Sequence, residues 1–235
     1  MSVIYGTDSF YFEVTGQHHF WKTKEDKRSS AYGFIRIGKD HTSTKKTVPP
    51  LSSVEMPPVC SPLVVAEMSR FVGKVAIVTG SSNGIGQAAA VQLASEGASV
   101  TIHGRSLEGL QTTEKMILDK DVPAERILSV QGNIQDDETL KELVEKTLEK
   151  FGKIDVLVNN AGLAADPKLD KTSIEQYDYI HEVNLKSIIK LVQLVEPHLE
   201  KTKGNIVNVS SVSSSVAATF YFYAMSKAAL DHYTR

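Results

Sequence analysis

The chain has a single cysteine, Cys60, in 235 residues, which excludes an internal disulfide and suits a reducing compartment. We expect Cys60 to be an inert thiol in a loop. There is no excess of basic charge, since 26 Lys and Arg face 28 Asp and Glu, and nothing in the balance points to nucleic acid. Long hydrophobic runs are missing: no apolar stretch could span a bilayer, and the N-terminus lacks the apolar region of a secretory signal. A mitochondrial transit segment is disfavoured because Asp8, Glu13, Glu25 and Asp26 interrupt what should be acid-poor. These absences lead us to expect a cytoplasmic protein. At 41% hydrophobic residues and net charge -2, the composition suits a soluble globular chain with one main domain.

Composition shifts near residue 70. Residues 1–69 read as an irregular or disordered extension. Thr42-Ser43-Thr44-Lys45-Lys46, Pro49-Pro50 and Pro57-Pro58 cannot sustain a helix, and too few periodic apolar positions are present to bury a core. The aromatic groups Phe10-Tyr11-Phe12 and Phe20-Trp21 offer an alternative, a small hairpin or partner-binding patch, and Met68 offers an internal start.

Residues 70–235 alternate regularly. Strands are expected at 74–79, 98–103, 127–131, 154–158 and 204–210. Helices are expected at 84–96, 106–119, 136–151, 173–184, 186–201 and 221–235. Such alternation implies a parallel sheet covered on both faces. In the helix from Asp136, the residues Leu140, Leu143, Val144, Leu148 and Phe151 share one stripe, which marks a core-facing surface.

Two spacings carry chemistry. Thr79-Gly80-Ser81-Ser82-Asn83-Gly84-Ile85-Gly86 lies between an apolar strand pattern and a helical one. Gly80 allows the turn, Gly84 lets backbone approach a pyrophosphate, Gly86 permits close helix packing, and the helix N-terminus offers unpaired N–H groups to an anion. The plainer alternative is a glycine-rich surface turn. Tyr223 and Lys227 stand four apart in an expected helix and so share a face. A lysine held beside a tyrosine favours the phenolate and suits proton transfer at neutral pH. By itself that pair could be no more than a solvated face.

Together these segments resemble the short-chain dehydrogenase/reductase family. The glycine spacing is similar to its T-G-x-x-x-G-x-G pattern, Asn159-Asn160-Ala161-Gly162 to its N-N-A-G segment, and Val183-Asn184-Leu185 to the setting of its active-site asparagine. Ile206 to Ser211 resembles the strand ending at the catalytic serine, and Tyr223 to Leu230 the Y-x-x-x-K helix. The resemblance runs from near Phe71 to Arg235. It implies a Rossmann-type doubly wound parallel sheet and hydride transfer between a nicotinamide and a carbonyl or secondary alcohol.

The resemblance also distributes roles. Tyr223 would give or take the hydroxyl proton, Lys227 would assist it and hold the nicotinamide ribose, and Asn184 would support a proton-relay water. A serine would bond the substrate oxygen. Family pattern selects the second of the pair, Ser211, although the loop to Tyr223 is one residue short and counting back reaches Ser210; strand register argues for Ser211. Cofactor contacts would come from Gly80, Ser82, Asn83, Gly84, Ile85, Gly86, Arg105, Asn133, Asn159, Ala161, Gly162, Tyr223 and Lys227. No metal is expected.

NADP is preferred over NAD. Gly104 occupies the place where NAD-preferring relatives carry an acid for the ribose 2'-hydroxyl, and Arg105 follows to attract a 2'-phosphate. His103 reads as a strand residue near the adenosine. Asn133 stands where relatives place an aspartate near the adenine, and it keeps a carbonyl acceptor.

Relatives continue past the helix that carries Tyr223 with further strands and a substrate-covering segment. From the sequence we therefore expect a domain lacking its usual last strands, with an exposed sheet edge. This leaves an alternative function, a catalytically inactive fragment or a cofactor-binding interaction module. Relatives form dimers or tetramers partly through such C-terminal elements, so a homo-oligomer is a weakened expectation. The substrate, a small-molecule carbonyl or alcohol, is not readable further.

Overall fold

The computed structural model of the chain describes residues 4–6, 10–15, 18–23, 69–216 and 219–235. The readings of Cys60, Met68 and the proline pairs fall outside the described residues. Five parallel strands form the main sheet: β4 (Val75–Val78), β5 (Ser99–Gly104), β6 (Ile127–Gln131), β7 (Val156–Asn159) and β8 (Asn205–Val209). Three short strands precede them, β1 (Ile4–Gly6), β2 (Phe10–Thr15) and β3 (His18–Thr23). The helices are α1 (Gly84–Ser95), α2 (Leu107–Leu118), α3 (Asp137–Phe151), α4 (Ile174–His181), α5 (Ser187–Thr202) and α6 (Tyr221–Thr234).

The strand order is β1-β8-β7-β4-β5-β6. Chain direction reverses its lateral progress between β4 and β7, both parallel to each other, and this switch point opens a crevice at their C-terminal ends. The edge of β8 expected to be exposed is paired: Ile4, Tyr5 and Gly6 run antiparallel to Val209, Asn208 and Val207. Such pairing satisfies backbone groups that an open edge leaves unmet. β2 and β3 pair as a hairpin, the alternative weighed for the aromatic groups there.

Period-two alternation divides the core. Along β4, Ala76 and Val78 join α1 and α2 residues Ala90, Leu93, Leu110 and Ile117 on one face. Ile77 points the other way, into a cluster with Leu140 and Leu143 of α3, Leu191 and Val195 of α5 and Leu230 of α6. Both faces of each central strand are thus buried, which explains why these strands read as continuous apolar runs. The α3 stripe buries Leu140, Leu143 and Val144, with Leu148 packed at its margin.

One buried charge anchors the sheet's N-terminal side. Asp155 accepts from Lys74 Nζ at 3.0 Å, from the Val75 N–H at 2.9 Å and from Lys153 Nζ at 3.0 Å. Burial raises its pKa, and these three donors more than offset that, so the carboxyl titrates below its ordinary range.

Candidate active site

The crevice at the switch point is a cavity of about 330 Å³. Gly80, Ser82, Asn83 and Ile85 form one wall, His103 and Arg105 the end of β5, Asn133 the end of β6, and Ala161 and Gly162 the floor after β7. These come from four separate β-to-α connections, which parallel strands bring to one edge of the sheet.

Local chemistry shapes the glycine loop for close approach. Gly80 has φ +66°, and a Cβ there would lie 2.7 Å from Ala161 Cα. Gly84 has φ +58° and open space where a Cβ would sit; it is exposed and does not itself line the crevice. Gly86 is buried, and a side chain there would meet the Gly80 carbonyl and the Asn160 amide. Asn83 caps α1 without a side-chain hydrogen bond, and the first turn contains no acid. The leading N–H groups of α1 thus keep their capacity for an anion.

Asn160 holds this loop. Its Nδ2 donates to the carbonyls of Thr79 and Gly80, both at 3.0 Å, and its N–H donates to Thr79 Oγ1 at 3.0 Å. Asn159, expected to contact the cofactor, has its side chain turned into the sheet, where Nδ2 donates to Asn208 Oδ1 at 2.9 Å. Asn159 is buried and does not line the cavity, whereas Asn160 does. Ile134, Gln135, Leu163, Tyr179 and Val183 also line it without any signal in the sequence beyond their apolar or polar type.

His103 is buried, its Nδ1 accepts from the Gly80 N–H at 3.5 Å, and its Nε2 makes no well-formed hydrogen bond among the described residues, the Gly132 backbone being its nearest polar influence. Burial pushes its pKa down to about 4 against an opposing pull from the Gly132 backbone. The imidazole is therefore neutral across the physiological range.

The second cluster lies behind Gly162 of the crevice floor. Asn184 is fully buried in a π-helical turn, Glu182–Lys186, that joins α4 to α5 without a break. Its Oδ1 accepts from the Leu163 N–H at 2.9 Å, and its Nδ2 donates to the Leu163 carbonyl at 2.8 Å and to Ser226 Oγ at 3.0 Å. Lys227 is also buried, donating from Nζ to the Val209 carbonyl at 2.7 Å. Burial lowers its pKa to about 8, with the Asp231 charge working the other way. A Cβ on Gly162 would lie 3.2 Å from Asn184 Oδ1 and 3.5 Å from Lys227 Nζ, so Gly162 lets these two groups approach the crevice floor.

Tyr223 and Lys227 share a face of α6, with Nζ 5.8 Å from the phenol ring centroid. Tyr223 also lines a small, mostly apolar cleft of about 70 Å³ with Ala164, Ala165, Ile180 and Phe222. The two serines diverge. Ser210 is buried and donates to the Lys227 carbonyl at 3.4 Å, while Ser211 is partly exposed, and its Oγ accepts from the Ser213 N–H at 3.2 Å.

The profile of the short chain dehydrogenase family matches residues 74–235, and the chain belongs to that family. A 3-oxoacyl-[acyl-carrier-protein] reductase of Thermotoga maritima is 40% identical over 61% of this chain and 57% of its own. The crystal structure of a short-chain dehydrogenase/reductase of unknown function from Caenorhabditis elegans, solved with cofactor, is 44% identical with a TM-score of 0.67. The match covers 70% of this chain and 63% of that one. A 7α-hydroxysteroid dehydrogenase complexed with NADH and 7-oxo glycochenodeoxycholic acid superposes with a TM-score of 0.64 at 30% identity, over 71% of this chain and 65% of its own. The chain thus spans 57 to 65% of the length of these relatives. Members of the family bind NAD(P). Among the described residues, no helix is long and apolar enough to cross a membrane.

Proposed function

We propose that the protein is an NADP-dependent oxidoreductase that interconverts a carbonyl and a secondary alcohol. The observation that carries this reading is that a glycine loop at a helix N-terminus lines the crevice while Gly162 of the crevice floor stands against the buried Asn184 and Lys227, with Tyr223 on the same helix face as Lys227. The cradle fits a dinucleotide: its bare backbone at Gly84, its orphan N–H groups and its missing acid at position 104 match a pyrophosphate and a 2'-phosphorylated ribose. When bound there, the nicotinamide supplies a hydride donor or acceptor.

The chain's own residues handle the proton and the developing charge. Tyr223 gives its phenolic proton to the substrate oxygen in reduction and takes one in oxidation. Lys227, an ammonium at neutral pH, favours the phenolate as it forms and would hold the nicotinamide ribose. Ser211 already accepts from the Ser213 N–H, which leaves its O–H to donate to the substrate oxygen. Ser210, turned into the core against α6, suits a structural part. Asn184 spends its side chain on Leu163 and Ser226, so its support of a relay water would pass through the backbone of the π-turn, a place where such turns recur. Arg105, exposed at the mouth, would attract the 2'-phosphate, and Asn133 would hold the adenine.

Thermal unfolding with saturating NADPH or NADH tests the reading, because a ligand selective for the native state raises its stability. A transition shifted upward more by NADPH supports it; no shift with either rejects the cofactor site.

A further inference from the structure

Ser82 is held in a slot between two glycines. A Cβ at Gly104 would lie 2.9 Å from both Cβ and Oγ of Ser82, and one at Gly109 would lie 2.6 Å from the Ser82 carbonyl oxygen and 2.9 Å from its Cβ. Neither glycine has a positive φ. Their lack of a side chain therefore answers to space, not to backbone conformation.

The loop cannot easily retreat. Its neighbour Ser81 is fully buried and tied on three sides: its N–H donates to the His103 carbonyl at 2.8 Å, its hydroxyl accepts from the His103 N–H at 2.8 Å, and its carbonyl accepts from Thr113 Oγ1 at 2.7 Å. These bonds fasten the loop to β5 and α2 at the two elements that carry Gly104 and Gly109.

We infer that Ser82 is a specificity-determining residue, a steric block that keeps position 104 free of any side chain and thereby denies the crevice the carboxylate that would select an unphosphorylated ribose. This rests on the dinucleotide reading above and adds to it. Arg105 attracts the 2'-phosphate, while Ser82 forbids the alternative built one residue earlier. The two devices are independent, and a change of Arg105 alone would leave the second in place.

A double-mutant cycle tests the block. Gly104→Asp, Ser82→Gly and the combined variant are compared for apo melting temperature and for NADH and NADPH affinity by isothermal titration calorimetry. Gly104→Ala with and without Ser82→Gly supplies the milder pair should the aspartate variant fail to fold. We expect each position 104 variant to lower the melting temperature, and Ser82→Gly to recover much of that loss although it is itself mildly destabilising. NADH affinity should rise by about tenfold in Ser82→Gly/Gly104→Asp, the scale of one well-formed hydrogen bond, and not in Gly104→Asp alone. Additive melting shifts, or an equal NADH gain in Gly104→Asp alone, overturn the inference while leaving the cofactor site intact. Failure of the parent protein to bind either dinucleotide overturns the cofactor reading itself, and the specificity role with it.

Discussion

Asn184 Nδ2 donates to Ser226 Oγ at 3.0 Å across 42 residues of sequence, and this bond joins the π-turn to the helix that carries Tyr223 and Lys227. Ser226 passes the contact on, donating to the Tyr223 carbonyl at 2.7 Å. The geometry of α6 is therefore linked to a turn that the chain forms much earlier.

Replacing Asn184 by alanine removes three side-chain hydrogen bonds, one buried and two part-buried, and leaves the Leu163 backbone groups without that partner. Loss of stability by roughly 2–4 kcal/mol is expected, since unmet buried polar groups cost about 1–3 kcal/mol each and the turn relaxes in part. Urea unfolding measures it; a change within error would mean that the Asn184 network is not formed.

Lys227 gives stability a pH signature. Its pKa is about 8 in the folded protein because burial disfavours the ammonium, against an ordinary 10.5. Between these values the folded chain has shed the proton that the unfolded chain retains, so the unfolded state binds more protons and stability rises with pH. Relative to Lys227→Met, the parent should gain up to roughly 3 kcal/mol between pH 8 and 10.5. A difference that stays flat across this window rejects a depressed buried lysine.

Tyr223→Phe keeps the ring that lines the small cleft and deletes the proton donor. Carbonyl reduction should fall by at least about a hundredfold with NADPH affinity nearly unchanged. Turnover at the parent rate would remove Tyr223 from the mechanism.

Arg105→Ala separates the two cofactors. We expect NADPH affinity to drop by about tenfold or more and NADH affinity to change little, as one charge-assisted contact to a phosphate is worth about 1.5–3 kcal/mol. Equal losses for both dinucleotides would count against a 2'-phosphate contact.

Asp155 governs acid stability on the opposite side of the sheet. Its folded pKa lies below the ordinary value, so the stabilisation from Lys74, Lys153 and the Val75 N–H is present above the unfolded pKa and lost as pH falls through the folded one. Asp155→Asn should therefore be destabilised relative to the parent at neutral pH, and the gap should close toward acid. A gap independent of pH would show that the ion pairs contribute nothing.

Much of the fold was legible because its signals are local. The apolar run ending at Val78, the glycine spacing and the stripe on α3 each report a period or a turn that a few neighbouring residues impose, and from β4 onward the observed strands and helices begin and end within two residues of the expected positions, except that α4 ends at His181, three residues early. The π-turn was not legible. A break was expected near residue 185, but Asn184 is drawn inward by Leu163 and Ser226, and the helix absorbs an extra residue there instead of stopping. The pairing of β1 with β8 was equally hidden, since it joins residues some 200 positions apart.

The sequence by itself determined the alternating layers, the glycine cradle and the residue types that meet at the crevice, because helix and strand periods, glycine's freedom and the i, i+4 spacing of Tyr223 and Lys227 act over a few residues. Only the tertiary structure decided which of two adjacent residues lines the crevice or turns into the core: Asn160 and not Asn159 in the cavity wall, Ser210 and not Ser211 in the core. Side-chain direction at a strand end depends on the pleat, the register with neighbouring strands and the helix packed above. Those are set by contacts between segments far apart in the chain.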